Sequence, residues 1–125
     1  DFIVKVIDVF PESYDLDKSM SGYQFPVTMD VFRGRFRNSF EKPEPFIPNK
    51  PEEIEIDLHI IDHVFLKGHK IMIQIQSTWF PIIDRNPQNF VPNIFKADES
   101  DFIKSTHTIY SNSKYSSYIE LPIAN

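Results

Sequence analysis

Apolar and polar positions along this chain recur mostly at the period of extended backbone. Asp1 to Phe10, DFIVKVIDVF, sets Phe2, Val4 and Val6 on one parity and Ile3, Ile7 and Val9 on the other. Both faces are apolar, which predicts a central strand covered on both sides. No turn or cap precedes it, so the chain is expected to be cut from something longer. Residues 11–22, PESYDLDKSMSG, are polar and turn-rich and predict a loop. A long strand is expected over 27–40. Phe32, Gly34, Phe36 and Phe40 then face a core, while Val31, Arg33, Arg35 and Arg37 face a wet or acidic surface. Gly34, between two phenylalanines, marks a bulge or a close backbone approach.

Pro43, Pro45, Pro48 and Pro51 forbid a central strand over 41–52, which reads as an extended connection. The cleanest alternation follows, with Ile54, Ile56, Leu58 and Ile60 on one face and Glu53, Glu55, Asp57 and His59 on the other. It predicts a half-buried strand. Leu66-Lys67-Gly68-His69 reads as a turn, and 70–77, KIMIQIQS, as a strand with Ile71, Ile73 and Ile75 inward. Pro81, Pro87 and Pro92 punctuate a long loop over 78–97 that carries Trp79, Phe80, Phe90 and Phe95. A loop of that length in a small domain packs against something or carries function. One short helix is expected over 97–106, with Asp98 as N-cap and Asp101 three residues on. A final hairpin is expected from 107–110 to 118–121, around Ser111-Asn112-Ser113-Lys114. Short strands with loop-heavy connections predict an all-β fold of β-sandwich type rather than βαβ units.

Composition narrows the chemistry. The 125 residues suit one compact domain, and with 41% hydrophobic residues they can bury a real core. No cysteine is present, which removes disulfides, thiol nucleophiles and zinc–thiolate sites. A net charge of −5 argues against nucleic acid as a partner, since phosphate binding needs a concentrated basic face. No apolar run reaches the ~18 residues of a membrane-spanning helix, so no membrane partner is expected. Compartment stays open. Aromatic residues make up 14% of the chain, and twelve of them are Phe, which directs attention to aromatic packing.

Catalytic patterns are mostly missing. The three glycines, Gly22, Gly34 and Gly68, frame no serine elbow and no phosphate loop. His59 and His63, with Asp57 and Asp62 nearby, have the one spacing that resembles a metal site. In extended chain the two imidazoles stand about 13 Å apart, so no metal is expected there. His69 and His107 read as hydrogen-bonded turn or strand residues. Arg33, Arg35 and Arg37 could hold an anion, but salt bridges to Glu53, Glu55 and Asp57 across a sheet are the simpler expectation. Trp79 and Phe80, beside Pro81, either stack on a sugar or line an apolar pocket, or else cover the sandwich edge or a contact between domains; the second pair of readings is preferred. Asp84-Arg85-Asn86-Pro87 reads as a turn.

The segments DFIVKVIDVFPE, GYQFPVTMDVFRGRFRNSF and DHVFLKGHKIMIQIQSTWFPIIDRNPQNFVPNIF together resemble the C-terminal non-catalytic region of the X-Pro dipeptidyl-peptidase and cocaine-esterase-like serine hydrolases. GYQFPVTMDVFRGRFRNSF and NFVPNIF most resemble the α-amino-acid ester hydrolase and glutaryl-7-aminocephalosporanic acid acylase-type branch. The resemblance implies a jelly-roll, galactose-binding-like β-sandwich lacking its first strands. Residues 1–125 would form a C-terminal domain or fragment whose partner is an α/β-hydrolase catalytic domain of the same polypeptide. The Ser-His-Asp triad would then lie outside this chain, which would itself hold no catalytic residue and need no cofactor. It would pack on the catalytic domain and help shape the substrate cleft. Trp79, Phe80, Phe90 and Phe95 are the expected interdomain contact. Missing strands would leave an open sheet edge, with association of copies into a homo-oligomer as a consequence. The rival expectation is a carbohydrate-binding jelly-roll module using Trp79, Tyr115 and Tyr118.

Overall fold

A computed structural model describes residues 1–122. Three strands form one antiparallel sheet: β1 (Phe2–Val9), β2 (Gln24–Phe32) and β3 (Lys70–Gln76), in the order β2-β1-β3. The fold is all-β, and its helical content among the described residues is limited to short 3-10 turns. The sheet is open. The all-β class agrees with expectation; an extended ribbon over 53–65 lies across one face, and the long loop after β3 supplies cover on the other.

β1 is the central strand that its two-sided apolar pattern predicts. Ile3, Val4, Val6 and Ile7 are all buried, and Pro87 and Val91 of the loop after β3 join them. Directly paired residues share a face, so the register sorts the sheet. Val4 and Val6 pair with Asp30 and Thr28 of β2 and with Ile75 and Ile73 of β3. Ile3 and Lys5 pair with Val31 and Met29, and with Gln76 and Gln74. The register slips between Val6 and Ile7, so that Ile7 pairs with Pro26, which has no N–H to give a ladder.

The ribbon keeps the alternation seen in the sequence but forms no ladder. Ile54, Ile56 and Leu58 are half-buried and Glu53, Glu55 and Asp57 exposed, yet no strand hydrogen bonds run through 51–65. The Thr28 hydroxyl donates to the Leu58 carbonyl at 2.6 Å, tying the ribbon to β2 by a side chain instead. His59 then takes a positive φ of 67°, which turns the chain and leaves Ile60 fully in solvent. β3 departs from expectation differently. Ile71, Ile73 and Ile75 lie on the Val4/Val6 face, but they remain 38–49% exposed.

The expected strand over 27–40 ends at Phe32, and Gly34–Phe36 coil into a 3-10 turn. Gly34 is buried, and a Cβ there would overlap the Phe46 ring. The close approach anticipated from sequence is thus an aromatic ring seated on the glycine. The arginines leave the common parity with the turn. Arg33 reaches Asp84 in a bidentate pair, with Asp1 at 3.4 Å; Arg35 donates to the Val91 carbonyl; Arg37 pairs with Glu52 at 2.6 Å. None of them meets the expected Glu53, Glu55 or Asp57. The expected helix over 97–106 is a single 3-10 turn, Glu99–Asp101, in which the Asp98 N–H donates to the Asp101 carboxylate. The expected final hairpin reduces to one bridge, Ser111 with Ser116.

Two outcomes follow. Gly34→Ala destabilises the fold by about 1–3 kcal/mol in urea unfolding, because the Phe46 ring must be displaced. The hydrogen bonds from Arg33 hold the Asp84 carboxyl below the usual carboxylate range. A depressed folded value means stability that is complete above about pH 4 and lost as pH falls through the lower folded value. Asp84→Asn therefore lowers thermal stability at pH 7 and flattens the acid limb of the stability–pH curve.

Candidate functional site

Asp8 is the one buried charged residue among the described residues, 2% exposed near the end of the apolar run of β1. Its two oxygens are divided between two imidazoles. Oδ2 lies 3.0 Å from His63 Nε2 and Oδ1 lies 2.8 Å from His69 Nδ1. A carboxylate can only accept, so both of those ring nitrogens carry protons. His69 is buried, packed against Phe10 at 4.3 Å and Tyr14 at 5.6 Å between ring centroids, and its Nε2 has no partner. His63 stacks on Phe25 at 5.9 Å and meets Phe65 edge-on. The cluster clasps the end of the ribbon and the turn before β3 to the central strand.

The same geometry separates the two histidines that share a metal-like spacing. His63 is committed to Asp8, whereas His59 lies 3.7 Å from Asp30 and its N–H donates to Asp57. Among the described residues no group of three or more His, Asp or Glu is arranged to hold a metal ion. Asp8 itself was missed from the sequence. Its signal was there: an acid inside a β-branched run that ought to be buried on both faces. His107 Nε2–H donates to Gln88 Oε1, 3.2 Å away, and the ring packs on Phe2 at 5.0 Å; burial pushes its pKa down.

The four aromatic residues of the long loop have unequal surroundings. Trp79 is half-buried, with the Lys5 ammonium 4.2 Å from its ring centre. Phe80 is 65% exposed, Phe95 78% and Phe90 47%, the last with the Arg35 guanidinium 4.8 Å over its ring. No two of these rings pair with each other among the described residues. The loop is nevertheless anchored, by Arg33 on Asp84, by Arg35 on the Val91 carbonyl and by buried Pro87 and Val91. Its outer rings are therefore presented from a fixed base. The residues considered for sugar stacking are differently placed. One face of Trp79 is taken by Lys5, Tyr115 packs against Tyr110 at 5.3 Å and Lys114, and Tyr118 stands 73% exposed.

The loss of Asp8 tests the clasp. Asp8→Ala costs about 3 kcal/mol in urea unfolding, since it strands two donors, one of them on a buried ring. His63→Gln, at the exposed end, costs about 1 kcal/mol.

Comparison with known proteins locates the chain. The model of a family described as X-Pro dipeptidyl-peptidase C-terminal non-catalytic domain matches residues 1–120. Cocaine esterase from Rhodococcus sp. (strain MB1 Bresler) is 30% identical over 123 residues, a match covering 98% of this chain and 20% of that protein. Among solved structures, an α-amino acid ester hydrolase is 45% identical with a TM-score of 0.78, over 82% of this chain and 17% of its own. An aminopeptidase from a marine sediment archaeon, Thaumarchaeota archaeon, is 46% identical with a TM-score of 0.78, over 81% of this chain and 16% of its own. The chain thus spans about a fifth or less of the length of these relatives.

Proposed function

This chain belongs to the X-Pro dipeptidyl-peptidase C-terminal non-catalytic domain family, and from that premise we propose that it is the accessory β-domain of a longer serine hydrolase that cleaves esters or amides of small acyl or aminoacyl groups. The nucleophile and its triad belong to a catalytic α/β-hydrolase domain of the same polypeptide. The present chain packs on that domain and walls part of its substrate cleft. The observation that carries the reading is the family match over residues 1–120, joined to relatives about five times longer that are themselves an esterase, an ester hydrolase and an aminopeptidase.

The contact surface is the loop after β3. Phe80 and Phe95 are its most exposed rings, Phe90 is exposed too, and Trp79 is half-buried with its ring against the Lys5 ammonium. Burying a large aromatic ring is worth about 2–3 kcal/mol, so two or three of them suffice to dock one domain on another.

Hydrolysis of a chromogenic acyl ester tests the assignment. The full-length polypeptide turns over and this chain alone does not; turnover by the chain alone, surviving repurification, overturns the reading. In the full-length enzyme, Phe80→Ser with Phe95→Ser lowers activity about tenfold or lowers the melting temperature by several degrees, leaving this chain's own stability unchanged. Wild-type activity and melting temperature in that double variant remove the loop from the interface.

A further inference from the structure

A groove of about 390 Å³ opens where β3 ends, and it goes unused by the accessory role. Ser77 and Thr78 lead into it from the strand, Arg85 and Asn86 come from the turn after Asp84, and Ile103, Lys104 and Ser105 come from the segment after the last 3-10 turn. The walls are joined by backbone: the Ile103 N–H donates to the Pro87 carbonyl at 2.9 Å. From this groove we infer a binding site for a small-molecule anion, a carboxylate or a phosphate.

Charge is the first argument. Two cations line the groove and no Asp or Glu does, in a chain whose net charge is −5. The second is the state of Arg85. Its guanidinium carbon sits 4.8 Å from the Phe102 ring centre, a cation–π contact that spends none of its N–H groups. Arg33, Arg35 and Arg37 all donate to carboxylates or carbonyls, whereas no acceptor reaches Arg85 among the described residues. Its neighbour Asp84 is already taken by Arg33.

The amides supply the third argument. Asn86 Oδ1 accepts from the Gln88 N–H at 2.9 Å, and Gln88 Oε1 is engaged by His107 at 3.2 Å. With both acceptor ends occupied, the two NH₂ groups are left as donors, beside the hydroxyls of Ser77, Thr78 and Ser105. A planar guanidinium, an ammonium and neutral donors around one cavity match an oxyanion that accepts two or three hydrogen bonds. Ile103 in the wall accommodates a short apolar tail on a carboxylate ligand.

Trp79, the single tryptophan, follows Thr78 and serves as the reporter. The protein is titrated at constant ionic strength with sodium hexanoate and, separately, with inorganic phosphate, following Trp79 fluorescence and backbone amide shifts in ¹H–¹⁵N spectra. Saturable binding is expected, at least about tenfold weaker in Arg85→Met and in Lys104→Met and unchanged in Lys42→Met, an exposed lysine remote from the groove. Saturation by hexanoate alone assigns a carboxylate, by phosphate alone a phosphate, and competition between them the shared oxyanion; each outcome supports the site. Lys104→Met, in an exposed segment, keeps the test decisive if Arg85→Met does not fold. Absence of saturation by both anions, or binding in both variants as in the wild type, overturns the proposal.

Discussion

A strand paired on both edges and covered on both faces loses contact with water, so each of its polar groups must be satisfied from within. β1 meets that condition with two backbone ladders and with one carboxylate shared by two imidazoles. Hydrophobic burial of Ile3, Val4, Val6 and Ile7 supplies the driving force, roughly 2 kcal/mol for each large side chain. Asp8 is tolerated there because both of its oxygens find donors, and because those donors bring the ribbon and the turn before β3 into place. The rest of the molecule is arranged as cover for this one strand.

Cations do the fastening beyond the sheet. Arg33 joins the end of β2 to the loop after β3, Arg35 reaches the Val91 carbonyl of that loop, and Arg37 reaches Glu52 and the carbonyls of Glu44 and Pro45. All three lie in or beside the 3-10 turn Gly34–Phe36, where the Phe46 ring occupies the space a side chain on Gly34 would need. A long loop with little regular structure is thereby held at several points. That is the condition for its exposed rings to act as a docking surface rather than as a mobile tail.

Much of this was legible beforehand. The two-sided pattern of β1, the loop over 11–22 and the strand over 70–77 follow from period-2 arguments that depend on local sequence, and the family resemblance rested on motifs spread over nearly the whole chain. The failures share a cause. Alternation over 54–60 reports which side chains are covered, and it does so correctly for Ile54, Ile56 and Leu58; it carries no information on whether a neighbouring strand supplies hydrogen bonds. For Ile71, Ile73 and Ile75 the apolar parity is right in facing the Val4/Val6 side, but exposure depends on what the rest of the chain lays over that face. The arginines were misassigned because the turn at Gly34 ends the parity, and the ring that requires a glycine there, Phe46, comes from another segment. Asp8 was overlooked because a single acid in an apolar run looks like noise until His63 and His69 arrive from far along the chain.

The order of pairing also bears on how the molecule forms. Val9 meets Gln24 on one side and Lys70 on the other. The first pairing closes over a short loop, whereas the second has to wait for the whole proline-rich connection and the ribbon to be laid down. During synthesis the β1–β2 hairpin stands with one edge of its most apolar strand bare, and Asp8 has neither imidazole to accept from. That interval, rather than the finished fold, is the stage most exposed to edge-to-edge self-association, and slower elongation across the prolines lengthens it.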